Sequence, residues 1–232
     1  MKPSNIWLVR HGQSEGNADK NKYAERPDYA IRLTDLGVEQ AKDAGAYIKE
    51  HCEQRLRFYV SPFWRTRQTY QHMLTHLGSI RDRKVYEDPR LREQEWGKGR
   101  VWRAEDYESW KENVEKERDS TGHFYYRFDG GESCADVHLR MSSFLDTFHR
   151  EFQKEERPWD AVIVFHGMAL RVFLMRWFHM SVEQFEAIKN PDNGTVIQLQ
   201  LNPMTDHHVL MDSLGNHPPY HNYQYNWEIG TR

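Results

Sequence analysis

"NIWLVRHGQSEGN", residues 5–17, sets a short apolar run directly against Arg-His-Gly, with the amide of Asn17 six residues beyond His11. A run of this length and character reads as a buried strand, and the glycine after the histidine reads as the turn that ends it. The same rhythm recurs along the chain. "LTDLGVEQAKDAGAYIKEHC" (33–52) predicts a helix capped by Thr34, with Leu36, Ala41, Ala44 and Ile48 on one apolar face. "LRFYVSP" (56–62) predicts a second strand closed by Pro62, and "FWRTRQTYQHMLTHL" (63–77) the helix after it, ended by Gly78. "RKVYEDPRL" (83–91) reads as a third extended segment. A long helix is expected over roughly 134–156, then the buried strand "DAVIVFH" (160–166), the helix "GMALRVFLMRWF" (167–178) and the late strand "GTVIQLQLN" (194–202).

Strands alternating with helices are the pattern of a mostly parallel sheet covered on both faces. The expected fold class is therefore α/β: a three-layer α/β/α sandwich with a mostly parallel central sheet and an inserted cap. The cap is placed at about 96–130, where Trp96, Trp102, Tyr107, Trp110, Phe124, Tyr125, Tyr126 and Phe128 interleave with charges of nearly balanced sign. These aromatics are expected to form a small satellite core. The last thirty residues, rich in His, Pro, Asn and Tyr, show little periodicity and read as a surface wrap. No repeat or long linker interrupts the chain, so residues 1–232 are read as one domain.

At 232 residues, 38% hydrophobic and 29% charged, the chain is neither disordered nor a membrane protein by composition. Its longest apolar runs fall far short of the roughly 20 residues that span a bilayer. The N-terminal apolar segment is too short for a secretory signal. A net charge of −3 leaves no basic footprint for nucleic acid, so any anion site must be a local cluster of arginines. Two cysteines, Cys52 and Cys134, form no CxxC unit and suggest a reducing compartment; the expected location is cytoplasmic. Nothing in the sequence fixes an oligomeric state.

Three loops leave the carboxyl ends of expected parallel strands: Arg10-His11-Gly12, Ser61-Pro62-Phe63-Trp64-Arg65 and His166-Gly167. In open α/β sheets that edge is where ligands bind, so residues distant in sequence converge there. Two histidines and two arginines at one spot call for an anion. Phosphate suits them, because guanidinium groups bind it bidentately and a helix N-terminus beginning at Gly167 adds N–H donors. Beside Arg10 and Arg65 the His11 imidazole is expected to stay neutral, and a backbone acceptor on its second nitrogen would fix the tautomer, making it a nucleophile toward phosphorus. A carboxylic acid must then protonate the leaving oxygen, and "LREQEWG" (91–97) offers Glu93 and Glu95. Ser14 serves either the loop or the phosphate, Asn17 either a turn or the phosphate, and Trp96, like Ser14, is a candidate for the substrate mouth. His72 and His76 have the spacing of a metal pair but lack a third ligand, and His207, His208, His217 and His221 read as tail composition; no metal site is assigned.

With these residues in view, the chain resembles the histidine phosphatase superfamily, on its phosphoglycerate-mutase-like branch. "RHGQSEGN", "LTDLGVEQA", "SPFWRTRQT", "LREQEWG", "GGES" (130–133) followed by Asp136 and Val137, and "VFHGMALR" occur in the family's order. The resemblance implies the sandwich fold with a cap, His11 as the phosphorylated residue, Glu93 rather than Glu95 as proton donor, His166 as the second catalytic histidine, and Arg10, Asn17, Arg65 and Gly167 as phosphate ligands. It implies a phosphomonoesterase working through a phosphohistidine, with no cofactor and no metal, on a small phosphorylated substrate. Two alternatives stand beside it. One is a phosphoglycerate mutase dependent on 2,3-bisphosphoglycerate. Mutases of the family carry an Arg-Arg pair in a longer cap and a tyrosine before the glycine; this chain has no Arg-Arg and carries Trp96 there. The other is a silent phospho-ligand-binding scaffold, against which stand all five of Arg10, His11, Arg65, Glu93 and His166.

Overall fold

The computed structural model describes residues 1–78, 84–97 and 104–211, with backbone alone at 104–108. Trp102 of the expected cap, and His217 and His221 of the tail, lie outside the described residues, as does the side chain of Tyr107. The strands are β1 (Asn5–Arg10), β2 (Arg55–Val60), β3 (Lys84–Glu87), β4 (Trp159–Phe165), β5 (Val196–Asn202) and β6 (His207–Leu210). The helices are α1 (Glu15–Ala18), α2 (Lys22–Glu25), α3 (Asp35–His51), α4 (Trp64–Leu77), α5 (Ala104–Thr121), α6 (Cys134–Gln153), α7 (Gly167–Trp177) and α8 (Val182–Ala187), with 3₁₀ turns at Asp28–Ala30 and Pro89–Leu91.

The six strands form one sheet in the order β3-β2-β4-β1-β5-β6. The pairs β3–β2, β2–β4 and β4–β1 are parallel, and β1–β5 and β5–β6 are antiparallel. Side chains alternate across the sheet, as the period of two requires. Ile6 and Leu8 of β1, with Ala161, Ile163 and Phe165 of β4, face a core shared with Phe144 and Phe148 of α6 and Leu170 and Phe173 of α7. Trp7 and Val9, with Val162 and Val164, face Ala44 and Ile48 of α3 and Met73 and Leu77 of α4. Covering both faces is what makes "AVIVF" a continuous apolar run rather than an alternating one. The three-layer sandwich is as expected.

Local chemistry ends the elements where the residues dictate. Thr34 caps α3 by accepting the N–H of Gly37, Gly78 closes α4 at φ +69°, and Ser133 with Asp136 forms a capping box at α6. Three expectations are corrected. Leu36 is 54% exposed, and Gly37 takes the buried position at the start of α3. Helix α6 ends at Gln153, earlier than the periodicity suggested. Within the segment read as a featureless tail, β6 closes a hairpin with β5, turned through Asp206 at φ +56°. The cap aromatics divide between two clusters: Phe124 joins the main core beside Phe185, whereas Phe128 gathers Trp96, Trp110 and Tyr126.

His208 on β6 is buried rather than a surface residue, with Nε2 bonded to the Pro3 carbonyl at 2.9 Å and its ring against Trp177. Burial pulls its pKa down to about 4. A histidine whose folded pKa lies below its unfolded value destabilises the fold as pH falls, because the unfolded chain takes the proton first. The loss therefore begins near the unfolded value of about 6.5, is complete once pH has passed the folded value, and amounts to roughly 3 kcal/mol. Burial of His138 and His149 acts in the same direction. Urea unfolding at pH 7 and at pH 4.5 should show the wild type losing about 2 kcal/mol more than His208→Gln over that interval; equal losses would contradict this account.

Candidate active site

The register of the parallel strands builds the site. Arg10 pairs with Phe165 and Val60 with Val164, so the next residues, His11, His166 and Ser61, emerge side by side at the carboxyl edge. The His11 N–H donates to the Phe165 carbonyl at 3.0 Å, and that of Ser61 to Val164 at 3.0 Å. The two imidazoles meet edge-on, with centroids 5.1 Å apart.

His11 is buried, and its Nδ1 lies 2.7 Å from the Gly12 carbonyl. A carbonyl only accepts, so Nδ1 carries the proton and the lone pair lies at Nε2. His166 is held in the opposite sense. Arg65 Nε, which can only donate, approaches Nδ1 at 3.3 Å, and Nε2 bonds the buried Ser61 hydroxyl at 2.8 Å. Phe63 packs on the same imidazole, with its ring also under the Arg65 guanidinium.

Arg65 is a cation taken out of water, and Arg10 is half-buried beside it. Arg65 is fully buried, and its Nη1 donates to the carboxylate and the carbonyl of Asp28, each at 2.8 Å. Arg10 donates from Nη1 to the Pro191 carbonyl, and its Nε is buried with no hydrogen-bond partner. Burial lowers the Arg10 pKa from its ordinary value, the charges of Glu93 and Asp192 raise it, and Arg65 lowers it again. A half-buried arginine whose Nε finds no partner among the described residues, beside the buried Arg65 guanidinium, is an anion-binding arrangement.

Glu93 reaches the site at the start of α7. Its carboxylate accepts the N–H groups of Met168 and Ala169 at 3.4 and 3.3 Å and that of Gln94 at 3.0 Å. The helix N-terminus that Gly167 opens thus holds the carboxylate; Gly167 is itself close-packed, since a Cβ there would lie 2.2 Å from Asn190 Oδ1. Glu95 folds back onto the N–H of Gly97 at 3.1 Å, so of the two acids only Glu93 joins this cluster.

Ser14 and Asn17 form a capping box on α1: Asn17 Oδ1 accepts from the N–H and hydroxyl of Ser14 at 3.0 and 2.9 Å. Ser14 is fully buried, and its hydroxyl serves the cap, the loop role of the two left open for it. Asn17 is exposed, and its oxygen also accepts from Asn193, whose amide in turn bonds the His11 carbonyl at 3.2 Å. Trp96 is half-buried against Phe128, 4.8 Å between centroids, within the cap cluster.

The motif residues away from the chemistry hold the nucleophile loop. Gly12 N donates to Thr69 Oγ1 at 3.1 Å and Gln13 N to Gln40 Oε1 at 2.7 Å, while Leu33 N donates to Gln68 Oε1 at 2.9 Å. Gly12 and Gly37 lie against each other's loops. A Cβ on Gly12 would lie 2.1 Å from the Gly37 carbonyl oxygen, and one on Gly37 2.0 Å from that of Gln13. Neither obstacle is a side chain that can turn away. Gly37→Ala should therefore cost about 1–3 kcal/mol and displace His11, lowering turnover. Thermal unfolding and activity both unchanged would contradict this.

Asp28, Asn193 and Gln94 are not singled out by the sequence, and Ser61 is marked there only as the start of a converging loop. Asp28 and Asn193 sit in loops without periodicity and carry no local signal; Ser14-x-x-Asn17 does have the spacing of a capping box and was legible as one.

Comparison with known proteins finds relatives over most of the chain. The sequence pattern of the histidine phosphatase superfamily, branch 1, matches residues 6–212. A phosphoglycerate mutase-like protein of Arabidopsis thaliana is 40% identical over 225 residues, covering 90% of this chain and 68% of that protein. A broad-range acid phosphatase of Saccharomyces cerevisiae is 28% identical, covering 90% of this chain and 89% of its own. The crystal structure of the alpha-ribazole phosphatase from Shigella flexneri superposes with a TM-score of 0.69 at 21% identity, over 89% of this chain and 94% of that one. At that identity the likeness speaks for the fold.

Proposed function

Because the chain belongs to the histidine phosphatase superfamily, branch 1, we propose that it is a metal-independent phosphomonoesterase acting through a phosphohistidine on His11. The observation that carries this reading is the tautomer of His11: its Nδ1 proton is donated to the Gly12 carbonyl, which leaves the lone pair at Nε2, at the sheet edge that also carries Arg10, Arg65 and His166.

In the first step the Nε2 lone pair forms a bond to phosphorus as the bond from phosphorus to the leaving oxygen breaks. Glu93 gives its proton to that oxygen, and the leaving group departs as an alcohol. In the second step Glu93, now a carboxylate, takes a proton from water, whose oxygen attacks phosphorus. The N–P bond breaks, its electron pair returns to Nε2, and inorganic phosphate leaves. Arg10 and Arg65 balance the charge on the non-bridging oxygens through both steps, and His166 lies beside them.

The test is hydrolysis of p-nitrophenyl phosphate in EDTA, run beside an isomerisation assay on 3-phosphoglycerate with and without 2,3-bisphosphoglycerate. Hydrolysis undiminished by chelation, without isomerisation, is expected. Isomerisation dependent on the bisphosphate would make the chain a mutase and overturn the reading.

A further inference from the structure

The loop that carries Glu93 has no ladder of its own, yet the acid must sit within a fraction of an ångström of a leaving oxygen. Its carboxylate end is held by α7, as described. Its backbone is held by one side chain from α6. Arg140 Nη1 donates to the carbonyls of Arg90 and Arg92 at 2.6 and 2.9 Å, and Nη2 to the carbonyl of Glu93 itself at 3.1 Å. Its remaining donors meet Glu132: Nε to Oε1 at 3.0 Å and Nη2 to Oε2 at 3.0 Å. An arginine has five N–H groups, and all five are engaged. Glu132 returns to the same loop, accepting the N–H of Glu95 at 3.0 Å and the side chain of Arg92, while its backbone bonds Gln94 and Glu95 at 2.8 Å each.

We propose that Arg140, oriented by Glu132, is the positioning residue of the acid: its planar fork fixes the loop from Arg90 to Glu95 so that Glu93 is aimed at the leaving oxygen. This inference rests on Glu93 being the acid. Arg140 does not touch the substrate and acts only through Glu93. Its effect on the first step, phosphoryl transfer to His11, is therefore specific: it helps substrates whose leaving group needs a proton and leaves untouched those whose leaving group departs as a stable anion. A helix anchor without this role would affect both classes alike. Lysine in its place has three donors from a single nitrogen and cannot reproduce the fork.

The experiment is steady-state kinetics of wild type, Arg140→Ala, Arg140→Lys and Glu93→Gln on glycerol phosphate, a poor leaving group, and on dinitrophenyl phosphate, a good one. For Arg140→Ala we expect kcat/KM on glycerol phosphate to fall by about 10- to 100-fold, and on dinitrophenyl phosphate by less than about 3-fold, and we compare the variants in this constant because it reports phosphoryl transfer to His11. Arg140→Lys should show the same bias at smaller size, and it decides the matter if the alanine variant does not fold. Glu93→Gln should show the bias most strongly. If Glu93→Gln slows both substrates equally, the acid assignment falls and this proposal with it. If Glu93→Gln discriminates but the Arg140 variants slow both substrates equally, or Arg140→Lys matches the wild type, Glu93 stands and the role given to Arg140 is overturned.

Discussion

His11→Ala should abolish turnover, by roughly 10⁴- to 10⁶-fold in kcat, while the protein remains folded. The fold tolerates the change because the contacts that seat this residue are mostly backbone ones. Its N–H bonds Phe165 and its carbonyl accepts from Gly194, and both survive the substitution. What is lost includes the bond from Nδ1 to Gly12, worth about 1 kcal/mol, and the edge-on contact with His166. Chemistry fails for a different reason: no neighbouring group supplies a second nucleophilic lone pair in the same place, since the Nδ1 of His166 faces Arg65 and its Nε2 faces Ser61. A His11→Ala enzyme that retained phosphatase activity would remove the nucleophile from this account, whatever its family.

Glu93→Gln should reduce kcat/KM by about 10²- to 10⁴-fold on alkyl phosphates and much less on dinitrophenyl phosphate. Glutamine keeps the shape of the side chain and an oxygen able to accept from Met168 and Ala169, so binding of inorganic phosphate should change little. It can neither give up a proton to the leaving oxygen nor take one from water. The second failure adds a signature: with the good leaving group, phosphoenzyme forms and then persists, so a burst of phenolate followed by slow release of phosphate is expected. Equal loss on both substrates, with no burst, would contradict a role in proton transfer.

How far the sequence led is clearest from single residues. His11 and His166 were legible because each follows an apolar strand directly, and parallel pairing leaves the residues after two neighbouring strands few places to go. The in-register pairing of Arg10 with Phe165 then brings the imidazoles together. Arg65 was legible through its place after the second strand, but its partner Asp28 was not, because the stretch from residue 19 to 31, one short helix and one 3₁₀ turn, is too brief in each element for a period to be read. Arg140 carried a signal that went unread. It lies three residues after Val137 and four before Phe144, both buried, so an arginine stands beside the apolar stripe of α6, where its charge must find partners. Leu36 misled for the opposite reason. Its spacing fits the apolar face, but the approach of the nucleophile loop to Gly37 turns the start of α3 so that the glycine, not the leucine, faces inward. Strand β6 was missed because its burial rests on His208, a residue that pattern reading counts as polar.

The most direct measurement is the site of phosphorylation during turnover. Enzyme mixed with phosphate-labelled dinitrophenyl phosphate, quenched in alkali within a turnover and digested, should carry label on one peptide, with the phosphoryl group on His11 and none on His166. Label on another residue, or rapid turnover with no labelled protein at any time, would contradict the account.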